Sequence, residues 1–369
     1  MKRNNLYLVV AIVQLLFFCF HAIAYYGFVS AFELQGVSLF ITKIIFFLGS
    51  LIFLAASLIS HKFENVISRS LYKLSSVWLA VLFYAVFASG LYAIGLIFIL
   101  FFQIPIVIEW FGIGLYGAAS MVVLYGFYNA SRIRIKRIRV AIPNLPEVWR
   151  GRTAVFVSDI HVGQVRGVSF VEKIVKIIQS INPDIVFIGG DLYDGVKVDE
   201  KSSIEPLQKL SSKFGTYFVT GNHEYISDSE KYTNPIKAAG IMVLDNEVVD
   251  IEGLKIIGVD YHDTVNEESF DAVLRKLSLD KAKPSILLKH TPFFIDTTEK
   301  YGINLQLSGH THRGQLFPGN LVTKKMYKSF DYDLKNKGNL QVYTSSGVGT
   351  WGPPARVGTQ SEVVHITFV

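Results

Sequence analysis

Five short polar clusters carry nearly all the chemistry this chain's side chains can offer: Ser158-Asp159-Ile160-His161, Gly189 to Asp194, Gly221-Asn222-His223-Glu224, Lys289-His290-Thr291-Pro292 and Gly309-His310-Thr311-His312. A lone histidine, or a lone Asp after a strand, is a weak signal, because aspartates commonly serve as turn or cap residues. Ligand-type residues after five separate strands are a different matter. Imidazole and carboxylate together suit borderline divalent metals such as Mn, Zn and Fe better than Ca. Asp159 and His161 are two residues apart, a spacing that in an extended segment turns both side chains to one side, and His310 and His312 share it. Neighbouring glycines, among them Gly190 and Gly309, allow the backbone to turn tightly around ions. The pattern specifies a dinuclear centre better than a single ion.

The elements that must position these clusters read as an α/β alternation. Short strands are expected at Thr153 to Val157, Ile185 to Ile188, Thr216 to Val219, Lys255 to Val259, Ser285 to Leu288, Leu305 to Leu307 and Leu340 to Thr344, with a helix over Val168 to Ile181. Several of these strands run straight into a polar cluster. Loops at the carboxyl ends of strands are where α/β sheets bind ligands, so clusters far apart in sequence can converge. From Arg132 to Val140 charged and apolar residues alternate, the period-2 mark of a half-buried strand.

The ordered series D-x-H, G-D-x-x-D, G-N-H-E, H and G-H-x-H resembles the calcineurin-like metallophosphoesterase family over about Gly151 to Val369. Gly309 to Gln315 and the tail Ser345 to Pro354 are similar to a bacterial, membrane-associated branch, in which a second glycine more often stands where this chain has Arg313. The resemblance implies a four-layer α/β sandwich of two β-sheets flanked by helices. It implies one metal on Asp159, His161 and His312, and a second on Asn222, His290 and His310, with Asp191 bridging both. His223 would protonate the leaving oxygen or stabilise the transition state, and Asp194 would hold His223 in the right tautomer. Arg313 and Arg356 are candidates for substrate contact, and Glu224 for orienting its loop. His262 and Asp263 follow a strand outside the series and are read as structural.

The front of the chain is of another kind. The 369 residues divide near residue 131, with apolar residues almost unbroken before it and soluble α/β composition after it. A bilayer core needs about 20 apolar residues per spanning helix, and four candidate spans are expected at 5–27, 38–60, 76–101 and 107–130, with Pro105 and Glu109 at the last break. This gives an anchor at 1–131, a basic strand or linker at 132–150 and a catalytic domain at 151–369. Lys2, Arg3, Lys62, Arg69, Lys73 and the cluster from Arg132 to Arg139 all fall on one side of such a bundle, whereas Glu33 and Glu109 fall on the other. Basic loops stay cytoplasmic. The expected topology is therefore a multi-pass inner-membrane protein with a cytoplasmic C-terminal domain. A signal-peptide reading of the first span, ending at Ala22-Ile23-Ala24, leaves that orientation unchanged.

The net charge of +6 owes much to the juxtamembrane cluster, so no nucleic-acid partner is expected. Cys19 is the sole cysteine, which excludes an intramolecular disulfide and a Cys-based metal site. The expected function is a membrane-anchored phosphohydrolase with two divalent ions of Mn, Zn or Fe type, acting as a phosphodiesterase or pyrophosphatase on a phosphate ester. Two such ions clamp a phosphate ester and make a hydroxide nucleophile available near neutral pH. Tethering at a bilayer makes a lipid headgroup or nucleotide-linked glycolipid the leading substrate. The alternatives are an inactive phosphoesterase-fold scaffold or a membrane sensor that binds a partner.

Overall fold

The computed structural model of the chain describes residues 3–63, 65–195, 199–225 and 229–369, so Lys2 lies outside the described residues. The chain divides into two compact units, Met1–Tyr128 with Gly352–Ala355, and Asn129–Trp351 with Arg356–Val369.

Four helices open the chain: α1 (Arg3–Ala31), α2 (Gly36–Lys62), α3 (Val66–Phe101) and α4 (Ile108–Ser131). Each is long and apolar enough to cross a membrane. The third begins at Val66 rather than near residue 76. Its 36 residues amount to about 54 Å of helix, against a hydrocarbon core of about 30 Å. The turns carrying Arg69 and Lys73 therefore extend the helix beyond its apolar stretch. A reciprocal cap starts it: Asn65 Oδ1 accepts the Ser68 amide at 2.9 Å, and Ser68 Oγ accepts the Asn65 amide at 3.0 Å. Small residues bring these helices together, as expected where lipid supplies no hydrophobic drive between them. A side chain at Gly27 would collide with Ser89 and Tyr116, whose hydroxyls are themselves hydrogen-bonded at 2.8 Å.

Among the described residues the second unit has twelve strands in two sheets. The first sheet has the order β1 (Ile133–Val140), β12 (Ser361–Phe368), β2 (Thr153–Val157), β3 (Ile185–Ile188), β4 (Thr216–Phe218) and β5 (Met242–Val243). The second has the order β10 (Asp333–Lys337), β11 (Leu340–Thr344), β9 (Leu305–Ser308), β8 (Ser285–Leu288), β7 (Leu254–Gly258) and β6 (Glu247–Ile251). The middle strands β2, β3 and β4 run parallel, as do β7, β8, β9 and β11, so their carboxyl ends gather at one edge of each sheet.

Between the sheets lies a dry layer that includes Phe156, Phe187, Val364 and Phe368 from one and Ile256, Leu288, Leu307 and Tyr343 from the other. Helix α5 (Val168–Ile181), whose apolar residues recur at helical spacing, covers the first sheet with Phe170, Val171, Ile174 and Ile178. Phe270 and Leu274, from a helix spanning Glu267–Lys276, and Ile295 cover the second. The result is the expected four-layer sandwich.

The basic stretch after α4 is a full strand rather than a spacer. Residues Ile133 to Val140 pair in parallel with Ser361 to Phe368, and Lys136 reaches Asp333 at 3.1 Å. β12 lies outside the strands expected from the sequence, although Ser-Glu-Val-Val-His-Ile-Thr-Phe has the β-branched content of a strand. Its partners, β1 and β2, lie more than 200 residues upstream, beyond the reach of any local pattern.

Candidate metal centre

Every cluster singled out in the sequence lies at a strand's carboxyl end, and three groups of side chains meet there, two of them sharing His161. Asp159, His161 and His312 form one, Asp191, His290 and His310 a second, and His161, Asp194 and His223 a third, with ligand atoms inside each group within 4.8 Å of one another. Asp159 and His161 follow β2, Asp191 and Asp194 follow β3, and Asn222 and His223 follow β4. The second sheet contributes His290 after β8, and His310 and His312 after β9. Asn222 joins the second group, its Oδ1 being 3.2 Å from His290 Nε2.

The convergence is produced differently from the way the spacing suggested. Asp159 and His161 do not alternate along an extended segment; their φ angles are +54° and +50°. Asp191, His310 and His312 likewise have φ between +46° and +70°. Five expected ligands thus occupy the left-handed region that side chains with a Cβ rarely adopt, a local strain characteristic of functional loops. Hydrogen bonds impose it: Asp159 N donates to Gly190 O at 3.0 Å, and His161 N to Asp191 O at 3.1 Å. The Asp159 carboxylate in turn accepts the His310 amide at 2.9 and 3.1 Å, tying the two sheets' loops together. A Cβ at Gly309 would run into that carboxylate.

Glu224 is the second organiser. It is fully buried and accepts the backbone amides of Asp191 at 3.0 Å, Leu192 at 2.9 Å, Tyr193 at 3.3 Å and Gly221 at 2.7 Å. One carboxylate thereby holds the loops after β3 and β4 to each other, while Asp191 Oδ1 accepts the His223 amide at 2.9 Å.

The donor set fits divalent cations. Nε2 of His161 lies 3.0 Å from Nε2 of His312, and Nε2 of His290 lies 3.2 Å from Nδ1 of His310. Asp191 Oδ2 sits 3.3 Å from His290 Nε2 and 3.8 Å from His161 Nε2, so it faces both groups. His290 Nδ1 donates to Gly189 O at 2.7 Å, so Nε2 is the nitrogen turned into the site. Burial, reinforced by the charge of His290, lowers His310 to about 3; burial and the cations of His161 and Arg356 hold His312 well below its ordinary value. Both rings are therefore neutral, the form in which imidazole binds metal. Burial opposes ionisation of Asp191, but the neighbouring His290 more than reverses this and keeps the group a carboxylate.

Asp194 stands beside two imidazoles: its Oδ1 lies 3.5 Å from His161 Nδ1, and it forms the third group with His161 and His223, whose ring also meets the Asp194 backbone. The loop after β3 returns beside β2, with Asp194 N bonded to Val162 O at 3.0 Å, which brings the carboxylate to His161. Arg356 is not a substrate contact. It is completely buried, and its guanidinium donates to the carbonyls of Ser346, Gly347 and Gly349 at 2.6–3.1 Å while lying 3.3 Å from His312 Nδ1. Five donors in a planar fork suit the sharp tail loop, whose inward carbonyls would otherwise be unpaired.

Arg313 is half-buried with its guanidinium 4.3 Å from the Tyr332 ring centre, and its φ of +48° explains why a glycine suits the position. Asp263 accepts from Asn246 and His262 lies against Tyr225, both structural roles. Sequence reasoning missed Glu362, a buried carboxylate on β12 that accepts from Tyr343 at 2.9 Å, Ser345 at 3.1 Å and Ser346 N at 3.1 Å, and so fixes the tail loop from beneath. No spacing marks it, because its partners come from another sheet.

A family model described as calcineurin-like phosphoesterase matches residues 153–314. An uncharacterized metallophosphoesterase of Helicobacter pylori strain J99 is 35% identical over 263 residues, covering 70% of each chain. A Danio rerio protein described as a transmembrane protein with metallophosphoesterase domain is 30% identical over 267 residues, 68% of this chain and 60% of that one. An uncharacterized metallophosphoesterase of Aquifex aeolicus is 31% identical over 254 residues, 67% of this chain and 97% of its own. The match covers the strands whose carboxyl ends carry the clustered His and Asp residues, and the chain belongs to the calcineurin-like metallophosphoesterase family.

Proposed function

We propose that this protein is a membrane-anchored phosphoester hydrolase in which Asp159, His161 and His312 hold one divalent cation and Asn222, His290 and His310 a second, with Asp191 shared. The observation that carries the reading is that two His-Asp groups meet, Asp191 belonging to one and its Oδ2 lying 3.8 Å from His161 of the other. A cation pair of Mn, Zn or Fe type would supply Lewis-acid polarisation of the phosphoryl group and a hydroxide nucleophile near neutral pH. The chain supplies the rest. Neutral His310 and His312 keep their lone pairs available, Asp191 stays ionised, and Glu224 holds the two loops in register.

His223 is the acid for the leaving oxygen. Burial lowers its proton affinity, while Asp191 and Asp194 raise it. An incoming phosphate adds negative charge beside the ring and raises it further, so the group gains its proton as substrate binds. Replacing His223 by Ala should slow an alkyl phosphate ester by about 10²- to 10⁴-fold and a nitrophenyl ester far less, because nitrophenolate leaves without help. Equal losses on both would remove the acid role. Arg313, directly after His312, is the candidate for a phosphate oxygen.

The substrate class proposed is a phosphodiester or pyrophosphate carried on a lipid, with residues 1–131 as anchor, 151–369 as catalytic unit and the catalytic side cytoplasmic. The purified full chain, assayed on bis-(nitrophenyl) phosphate with Mn, Zn or a chelator, tests the chemistry. Turnover that needs metal and disappears in Asp191→Asn supports it. A folded chain that binds no metal and turns over nothing points to a scaffold.

A further inference from the structure

The helix α10, spanning Gly319–Met326, has its polarity reversed for a protein in water; the short helices Glu200–Ile204, Ser229–Ala238, Glu267–Lys276 and Ile295–Lys300 are α6 to α9 before it. None of its residues is buried. Leu321, Val322 and Met326 are 58%, 60% and 55% exposed. At about 100° per residue they share an arc of about 140°. The opposite side, which packs on the domain, is the polar one. Thr323 Oγ1 donates to Asp331 Oδ2 at 3.0 Å, Asn320 Oδ1 is buried, and the next residue on that side, Tyr327, is buried with its ring 4.6 Å from Phe293. A soluble surface helix does the reverse.

Charge says what covers this face. Lys324, Lys325 and Lys328 lie in or beside the helix, and no Asp or Glu occurs from Phe317 to Ser329. Apolar side chains projecting outward among lysines whose stems can lie along them while the ammonium groups reach phosphate are the pattern of an interfacial helix on an anionic bilayer. A protein partner matched to those lysines would need an acidic rim around an apolar centre. A bilayer offers that chemistry without specialisation, and this chain carries four helices able to enter one.

The helix is also joined to the metal site. It begins seven residues after His312, and Tyr327 at its end lies 6.4 Å, ring to ring, from His310. Trp351 is 60% exposed, lies 6.5 Å from the His223 ring, and is fixed by two hydrogen bonds of 2.9 Å with the Gln315 side chain, which precedes the helix. We propose that α10 docks the catalytic unit onto an anionic lipid surface, with Leu321, Val322 and Met326 among the acyl chains, so that a lipid's phosphate is presented beside His310 and His223. The docking stands independently, and the presentation of substrate rests on the phosphoesterase reading.

The single cysteine makes the test direct. In a full-length Cys19→Ala chain, Val322→Cys, Met326→Cys or, as control, the exposed Lys276→Cys is labelled with an environment-sensitive fluorophore. The chain is reconstituted into vesicles of equal parts phosphatidylcholine and phosphatidylglycerol, with or without doxyl-labelled acyl chains. Strong doxyl quenching at positions 322 and 326 and little at 276 is the expected result. Quenching no greater than the control overturns the docking, and label protection without doxyl quenching in a chain that sediments as a dimer overturns it in favour of a second copy. Joint Leu321→Asp and Val322→Asp changes, on an exposed face, should leave melting and nitrophenyl ester turnover unchanged while lowering hydrolysis of a vesicle-borne lipid phosphate ester severalfold; equal hydrolysis overturns the substrate-presenting role. If no ester is turned over but quenching persists, the hydrolase reading fails and the docking stands.

Discussion

The two units solve opposite solvation problems with the same twenty side chains. In the helical unit large apolar residues point outward, Leu15 at 62% exposure and Phe101 at 78% among them, while Ala31, Ala88, Ser89 and Tyr116 fill the contacts between helices. In the α/β unit the apolar residues are inside, and so is a dense set of ionisable groups: Asp159, Asp191, Glu224, His290, Arg356 and Glu362 are all buried. In the helical unit buried polarity includes pairs such as Ser89 with Tyr116 and His21 with Trp78. The α/β unit makes buried polarity its organising principle, each carboxylate holding backbone amides or hydroxyls from separate loops. Stability in one therefore rests on shape, and function in the other on electrostatics.

Breaking the polar side of that contrast should have the largest effect. Asp191→Asn removes the carboxylate whose Oδ2 faces His161 of one ligand group and His290 of the other. Turnover should fall by more than the roughly 10- to 100-fold expected when a residue supporting a ligand is lost, measured on nitrophenyl ester with metal content determined in parallel. Asp194→Asn, one step out behind His161, should fall inside that 10- to 100-fold range. The loss should appear as weaker metal affinity with the pH profile unmoved; a selective loss on poor leaving groups would make Asp194 the support of His223 instead.

Glu224→Ala strands four backbone amides, each costing about 1–3 kcal/mol when buried unpaired. It should lower the melting temperature of the α/β unit markedly and reduce bound metal, whereas a variant as stable as the parent would show that water replaces the carboxylate. The matching test on the helical side is Gly27→Ala. Its added methyl meets Ser89 and Tyr116, and overpacking of this kind costs about 1–3 kcal/mol. Thermal aggregation in detergent should begin earlier while specific activity on the nitrophenyl ester stays constant.

The smallest expected effect lies on the surface. Asp271 bonds Lys300 at 2.7 Å and Arg275 at 2.5 Å, contacts that hold its carboxyl down at about 2. A carboxylate with a depressed folded pKa contributes stability above its unfolded value and loses it as pH falls through the folded one. Asp271→Asn should therefore make the decline in stability between pH about 4 and about 2 shallower, with little change at neutral pH, as fits an exposed pair.

The legibility of the chain followed the same contrast. Composition located the helical unit, although the start of α3 was hidden because its cap at Asn65 precedes the apolar run. The ligand positions were readable because each chemical residue follows its strand directly. What was not legible is set by partners distant in sequence. Asp194 approaches His161 because β3 lies beside β2, Arg356 is interior because the tail loop folds under His312, and β12 exists because β1 and β2 leave a strand's width between them. The spacing of Asp159 and His161 suggested a pleat, where the backbone instead takes left-handed turns that only hydrogen bonds from β3 can enforce.

The position of β12 has a consequence for the order in which the protein comes into being. β12 lies between β1 and β2, so β1 stays detached from the other strands of the first sheet until residue 368 has left the ribosome. At about 5–20 residues per second, the α/β unit must wait on the order of ten seconds to a minute after α4 has emerged. During that interval β1 and β2 present unpaired edges, which are open to pairing with other chains. Five basic residues, Arg132 to Arg139, fall on or beside one of those edges. Like charges there keep neighbouring nascent copies apart until each chain's own β12 arrives to close the sheet.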